Sequence, residues 1–322
     1  MTEETFTPAI DGSVSLARPS SLIRHLRYVL KEMRPKQWAK NGIVFLAFIF
    51  SVNQFWTPEH IRSWDNLVIR ATLTAIAFCM ASSAEYIIND LRDRESDALH
   101  PRKRLRPIAA GLISPSEAMV WSLTLTVASF ALAFAIDWRT GVVVIAYVLS
   151  SLLYSYVLKY QVILDVMSIA AGFVLRAVAG AYAINVPVSP WLYVVTALGA
   201  LFLAITKRRA EVTLLQGSAS DHRATLGMYT PALLDQMTSM VTASTVIAYA
   251  LYTFTAENLP ANHTMMLTIP FVAYGIFRYL FLIQERNEGG NPSRALYRDG
   301  PLLATIASWL LVVVLVLYKA RG

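Results

Sequence analysis

The run NDLRDRESD occupies residues 89–97, directly after a long apolar segment. On a helix, Asn89, Asp93 and Asp97 would share one face at a spacing of four residues, with Glu85 one turn earlier. Stacked like charges repel, so such a helix needs a cation beside it. Oxygen ligands without nearby Cys or His favour a hard cation, and Mg²⁺ typically takes one or two carboxylates together with substrate phosphates. The run therefore predicts a Mg²⁺ site with four ligands: Asn89, Asp90, Asp93 and Asp97.

The composition places this run at a membrane boundary. The chain has 322 residues, of which 56% are hydrophobic and only 15% charged, and its mean hydropathy is +0.48. A soluble domain has about 25% charged residues, so we expect an integral membrane protein. The alternative reading of the run is a solvated acidic helix end, but ionisable residues at this depth are usually functional. The single cysteine, Cys79, excludes intrachain disulfides and cysteine-based metal sites.

Nine apolar stretches approach the length that crosses a bilayer as a helix, which is about 20 residues. They lie at roughly 38–56, 67–91, 116–136, 140–158, 163–184, 190–206, 231–256, 264–284 and 301–318. We therefore predict an all-α bundle of about nine transmembrane helices. Residues 1–33 are expected to form a cytoplasmic tail and an amphipathic lead-in, and residues 34–322 the transmembrane catalytic domain.

The basic residues predict an orientation for the bundle. With the N-terminus inside, the inner segments hold 21 Lys and Arg residues and the outer segments hold four. This bias follows the positive-inside rule and places the acidic run at the cytoplasmic face of the cell (inner) membrane. The net charge of +7 suits anionic lipid or a phosphorylated substrate. Nucleic acid is not expected, since the chain has no soluble basic domain or aromatic stacking motif.

A basic loop, HPRKRLRPIAAG at residues 100–111, follows the acidic run. By itself such a loop is more often a topology determinant or a lipid-headgroup contact. Next to a carboxylate cluster, it indicates a diphosphate site in which Mg²⁺ bridges phosphate oxygens and cations take the remaining charge. The candidate cations in this loop are Arg102, Lys103 and Arg106.

Other inner ends of the predicted spans supply further candidates for substrate binding. Each set has a simpler explanation as interfacial anchors or positive-inside flanks, although Asp165 needs a partner or water at its depth. The candidates are Gln37, Lys40 and Asn41 before the first span, Tyr154, Tyr156, Lys159 and Asp165 around the fourth loop, and Lys207, Arg208 and Glu211 after the sixth span.

With these motifs the chain resembles the UbiA superfamily of intramembrane prenyltransferases, over almost its whole length from Arg34 to about Tyr318. The resemblance implies that Asn89, Asp90, Asp93 and Asp97 bind Mg²⁺–diphosphate. Typical members carry a second acidic motif after the sixth span, whereas this chain has Lys207, Arg208, Arg209 and Glu211 there. Replacing acids by bases removes a second metal site and adds affinity for phosphate oxygens.

With bases in place of the second acidic motif, the chain resembles one branch of the superfamily. The donor substrate of that branch is phosphoribosyl pyrophosphate (PRPP), and the acceptor is a polyprenyl phosphate such as decaprenyl phosphate. The branch supplies pentose (arabinose) donors for cell-envelope glycans. The resemblance implies a Mg²⁺-dependent phosphoribosyltransferase, with catalysis assigned to Asp90, Asp93 and Lys159. Two alternatives stay open: a prenyltransferase that uses a prenyl diphosphate, and a non-catalytic lipid-binding or transport protein. The sequence leaves homo-oligomer formation open.

Overall fold

A computed structural model describes residues 21–52, 54–56, 61–100, 103–214, 224–256, 259–285 and 298–321. All of the longer elements in these residues are helices. The α-helices are α1 Ser21–Glu32, α2 Leu46–Phe50, α3 Ile61–Arg92, α4 Arg94–Leu99, α5 Pro115–Ile136, α6 Trp138–Tyr156, α7 Leu164–Ala183, α8 Pro190–Leu214, α9 Pro231–Thr255, α10 Ile269–Glu285 and α11 Gly300–Arg321. The longest 3₁₀ segment is Pro35–Phe45, and shorter ones are Lys103–Leu105, Leu158–Tyr160, Ala224–Met228 and Thr264–Thr268.

Local capping fixes several helix starts close to the predicted boundaries. The Ser114 hydroxyl accepts the Glu117 N–H ahead of α5, and the Thr230 hydroxyl accepts the Leu233 N–H ahead of α9. Helices α5 and α9 each have a proline in the first turn, where the missing N–H removes no hydrogen bond of the helix. Asp137 caps α6 in the same way. These short polar signals divide one apolar span from the next.

Eight helices of the described residues are long and apolar enough to cross a membrane. They correspond to eight of the nine predicted spans. The remaining prediction, residues 38–56, falls on the 3₁₀ segment Pro35–Phe45 and the five-residue helix α2. A 3₁₀ helix rises about 2.0 Å per residue, so Pro35–Phe50 extends over roughly 30 Å, the thickness of the hydrocarbon layer. A ninth crossing stays a prediction.

The long helices form a closed ring in sequence order. From α5 onward each long helix packs against the next, α3 packs against α5, and α11 contacts α2 to close the ring. Helix α7 also contacts the 3₁₀ segment, α2 and α3, and it is the most buried of the eight spans. This topology brings the C-terminal ends of α3, α6 and α8 to the same end of the bundle, where the acidic run lies.

The 3₁₀ segment lies directly against α7. Val44 is 1% exposed, and a Cβ added to Gly180 of α7 would lie 2.0 Å from the Val44 carbonyl oxygen. Only glycine permits this approach of two backbones. The contact seats the 3₁₀ segment inside the ring, with its N-terminal end at the polar end of the bundle.

Candidate active site

The acidic run does not form one continuous helix. Helix α3 ends at Arg92, Asp93 has φ −87° and ψ 7°, and α4 begins at Arg94. The single helical face predicted for Asn89, Asp93 and Asp97 is therefore interrupted at Asp93, although the Asp93 N–H still donates to the Asn89 carbonyl and the Asp97 N–H to the Asp93 carbonyl. Asp97 shares its partner Arg106 with Asp90, whereas Asp93 faces Lys159.

Two buried carboxylates and two arginines form the centre of the site. Asp90 is 2% exposed and Asp97 is 1% exposed. Arg34 Nη2 donates to both oxygens of Asp90 at 2.6 Å, and Arg106 Nη1 donates to Asp90 Oδ1 at 2.8 Å and also to Asp97 Oδ2. Lys103 Nζ lies 3.5 Å from Asp97 Oδ1. The structure thus brings together the predicted Asp90, Asp97, Lys103 and Arg106.

Asp93 lies at the rim of this cluster and faces a different cation. Its Oδ1 lies 4.0 Å from Lys159 Nζ, and its side chain is 41% exposed. Lys159 comes from the 3₁₀ segment Leu158–Tyr160, which Arg92 holds by donating to the Ser155 carbonyl and to the Tyr160 hydroxyl. Two of the three residues that the sequence analysis named for catalysis, Asp93 and Lys159, are therefore placed together.

Helix α1 adds a third buried carboxyl that the sequence analysis did not predict. Glu32 is 2% exposed, and its Oε1 accepts the Ile108 N–H at 2.8 Å. Burial raises the pKa of Glu32 to about 7, and the neighbouring Asp90 adds to that rise, while the Ile108 N–H and Arg34 act in the opposite direction. The lead-in helix thus contributes to the site.

The carboxylate oxygens of this site are the kind of ligand that Mg²⁺ prefers, but their arrangement matches a metal site only in part. Among the described residues, no three Asp, Glu, His or Cys side chains are grouped to hold a metal ion. Two carboxylates plus phosphate oxygens is, however, the usual environment of Mg²⁺ bound with a diphosphate. Asp90 and Asp97 would meet that requirement if Arg106 moved from between them to the phosphates and Arg34 released an oxygen of Asp90.

A second buried cluster lies at the end of α8. Arg208 is 3% exposed; its Nε donates to Asp165 Oδ2 at 2.8 Å, and its Nη1 donates to Glu211. Tyr229 donates to Asp165 Oδ1 at 2.7 Å and accepts the Ile163 N–H at 2.8 Å. Arg208 is thus held between two carboxylates, and its contact with a substrate phosphate stays a prediction.

A third polar cluster lies deeper, between four elements of the bundle. Arg176 of α7 donates to Asn41 Oδ1 at 2.7 Å and to the Tyr147 hydroxyl at 2.7 Å. Tyr147 in turn donates to Glu85 Oε2 at 3.1 Å. Asn41, predicted as a substrate contact, is 1% exposed and is used in this network. Glu85 also belongs here and not with the acidic run.

The remaining predicted residues have mixed placements. Tyr154 lies 3.5 Å from Arg208 Nη2, Lys207 Nζ lies 3.6 Å from Glu211 Oε1, and the exposed Tyr156 stacks under Arg92. Gln37 and Asn89 are half-buried. Arg102 lies outside the described residues.

Lys40 is half-buried and makes no ion pair within the described part of the chain. The charged groups that act on it are all cations: Lys207, Arg176 and Arg34. Like charges held this close repel unless an anion lies among them. Lys40 is therefore suited to an anionic substrate.

The contributors to these clusters that the sequence analysis did not assign to the site include Glu32, Arg34 and Tyr229. The sequence gives one local signal for Arg34, which is that it precedes a proline. In the structure Arg34 has φ 52°, an unusual conformation for a residue with a side chain. Glu32 ends an amphipathic helix and Tyr229 lies in a polar loop. Nothing in their spacing indicates a partner far along the chain.

Comparisons with known proteins agree with this architecture. The profile of the UbiA prenyltransferase family matches residues 44–298. The chain belongs to the UbiA prenyltransferase family. It is 32% identical to decaprenyl-phosphate phosphoribosyltransferase of Mycolicibacterium smegmatis over 305 residues, covering 91% of this chain and 92% of the relative. For the enzyme of the same name from Corynebacterium glutamicum the identity is 31%, covering 99% and 94%.

The fold is shared with solved members of the family. A UbiA homologue from Archaeoglobus fulgidus bound to GPP and Mg²⁺ superposes with a TM-score of 0.66 and 20% identity, covering 90% of this chain and 99% of that one. At this identity the likeness establishes the fold. The all-helical UbiA bundle predicted from the sequence is thus confirmed.

Proposed function

We propose that this protein transfers the 5-phosphoribosyl group of PRPP to a polyprenyl phosphate, such as decaprenyl phosphate, with release of pyrophosphate. The observation that carries the proposal is the buried Asp90–Asp97 pair at one end of a membrane bundle, which forms ion pairs with three cations: Arg34, Lys103 and Arg106. Relatives that cover nearly the whole chain carry that activity in their names. Transfer of a prenyl group from a prenyl diphosphate, the reaction for which the family is named, would need fewer cations to bind phosphate.

Asp90 and Asp97, joined by Asp93 and Asn89, would hold Mg²⁺. When bound, the ion would neutralise charge that develops on the departing pyrophosphate. Arg106, released from the two carboxylates, and Lys103 would then take phosphate oxygens at the same place. Both cations come from the basic loop, whose backbone is anchored beside Asp90.

The transfer itself needs no strong base. The acceptor phosphate is already an anion near neutral pH, so one of its oxygens attacks C1 of the ribose as the C1–O bond to pyrophosphate breaks. Inversion gives a lipid-linked β-5-phosphoribosyl monophosphate. Lys159, beside Asp93, and Lys40 with Lys207 are the cations that we assign to the 5-phosphate and the acceptor phosphate.

The proposal includes a location. The positive-inside bias supports a cytoplasmic N-terminus and a cytoplasmic active site in the inner membrane. PRPP would enter from the cytoplasm, while the polyprenyl tail stays in the bilayer. The product would be a pentose donor for cell-envelope synthesis.

The direct test is transfer of label from [¹⁴C]PRPP into the lipid phase by purified protein with Mg²⁺ and decaprenyl phosphate. We expect labelled lipid only when the acceptor is present. Asp93→Asn should reduce the rate at least about 100-fold, as loss of a group that acts on transition-state charge does, while the protein stays folded. Glu95→Asn, an exposed carboxylate in the same run, is the control. Normal turnover by Asp93→Asn would remove Asp93 from the mechanism.

A further inference from the structure

The C-terminal end of α1 contacts the basic loop at two points that flank Arg106. Lys31 Nζ donates to the Leu105 carbonyl at 3.1 Å. Glu32 Oε1 accepts the Ile108 N–H at 2.8 Å. The backbone on both sides of Arg106 is therefore tied to α1, and the Glu32 contact is the buried one of the two.

Apolar side chains of α1, α3 and the basic loop pack together beneath these hydrogen bonds. Val29 of α1 is 4% exposed and Ile108 is fully buried, and both belong to one apolar cluster with Ala84 and Ile87 of α3. Ser83 of α3 also donates to the Met33 carbonyl at 3.0 Å. Helix α1 is thus packed at its C-terminal end between the loop and α3, and the Glu32 hydrogen bond is shielded from water.

Glu32 connects the loop to the catalytic carboxylates. Its Oε1 holds the peptide two residues beyond Arg106 at 2.8 Å, and Arg106 Nη1 donates to Asp90 Oδ1 at 2.8 Å. Burying a carboxyl group costs free energy unless its oxygens have hydrogen-bond partners. These two contacts set how far the Arg106 loop lies from Asp90.

We propose that Glu32 is a positioning residue that holds the basic loop so that Arg106 spans Asp90 and Asp97, ready to receive the diphosphate of the donor. This assignment rests on the proposed function. It makes α1 a part of the catalytic unit, although the profile of the family begins only at residue 44. The lead-in helix then does more than lie at the membrane surface.

The test is a comparison of steady-state kinetics for Glu32→Ala, Glu32→Gln and Glu95→Gln. Glu32→Ala leaves the buried Ile108 N–H without an acceptor, and we expect the KM for PRPP to rise about tenfold, as loss of one buried hydrogen bond predicts. The KM for decaprenyl phosphate should stay within about twofold. In Glu32→Gln the amide oxygen still accepts the N–H, so the KM for PRPP should be largely restored. Glu95→Gln removes an exposed carboxylate and should match wild type.

Glu32→Asp covers the case in which Glu32→Ala does not fold. It keeps the charge but is too short to reach Ile108, so it should raise the KM for PRPP as the alanine variant does. Folding is checked by the unfolding temperature in detergent. An unchanged KM for PRPP in the folded variants, or an equal rise for both substrates, would overturn the assignment. Absence of PRPP-dependent turnover in wild type would instead refute the proposed function.

Discussion

At the scale of single residues, the charged groups of this protein divide into those already neutralised and those left for a ligand. Arg208 is enclosed by Asp165 and Glu211, with Asp165 fully buried. Lys40 makes no ion pair within the described residues, and the cations Lys207, Arg176 and Arg34 act on it. The first arrangement stabilises the end of α8, while the second is favourable only when an anion is bound.

Replacing Arg208 by methionine should therefore affect stability before it affects binding. The buried Asp165 would be left without its ion partner, a loss of about 3–5 kcal/mol for a buried pair. The double variant Arg208→Met/Asp165→Asn should recover much of that loss. Arg209→Met is the matched control, because Arg209 pairs with the exposed Asp235 and such pairs contribute about 0–1 kcal/mol. The measurement is chemical unfolding in detergent; equal destabilisation by both single variants would contradict this account.

Residue types and local spacing were enough to predict that the acidic run and the loop that carries Arg106 form one site, because the two lie within about 20 residues of one another. The pairing of Arg208 with Asp165 could not be predicted, since the two residues approach only after α7 and α8 pack, and neither could the bond from Tyr229 to Asp165. Spacing also misassigned Glu85, because its partner Tyr147, which Arg176 also contacts, is brought to it only by the packing of α6 and α7.

At the scale of elements, the site depends on how the 3₁₀ segment sits against α7. Arg34 stands at the start of that segment and Asn41 near its middle, so its position sets the contacts of Arg34 with Asp90 and of Asn41 with Arg176. The approach of Gly180 to the Val44 carbonyl fixes this position. The apolar length of the segment was predictable, but its 3₁₀ form was not, since hydrophobic content alone does not distinguish helix types.

Gly180→Ala should displace the 3₁₀ segment and lower both stability and activity. The added Cβ would lie 2.0 Å from a backbone oxygen, and forced overpacking typically costs about 1–3 kcal/mol. Gly199→Ala is the control, because a Cβ there meets nothing within 4 Å and alanine favours a helix. Thermal unfolding and the rate of transfer measured on both variants would decide; a Gly180→Ala protein as stable and active as wild type would show that the contact is not needed.

At the scale of the whole molecule, the number of crossings determines on which side of the membrane each end lies. Within the described part of the chain, eight helices are long and apolar enough to cross a membrane, and the 3₁₀ segment with α2 is long enough for a ninth passage. An odd number of crossings places the two ends on opposite sides. The closed ring, with α11 against α2, is compatible with that passage.

We expect a cysteine introduced near the N-terminus to react only with a membrane-permeant reagent in whole cells, and one near the C-terminus to react with an impermeant reagent as well. Thr7→Cys and Ala320→Cys, each in a Cys79→Ser background, are suitable sites. Identical labelling of the two positions would mean that the segment before α3 does not cross, and that the bundle has an even number of crossings.

The central claim is tested most directly by pyrophosphate release from purified protein in detergent with Mg²⁺. One reaction contains PRPP and decaprenyl phosphate, and the other contains a prenyl diphosphate and 4-hydroxybenzoate. Phosphoribosyl transfer predicts release in the first reaction alone, dependent on the lipid phosphate. Release in the second reaction alone would contradict it and would establish the prenyl-transfer chemistry for which the family is named.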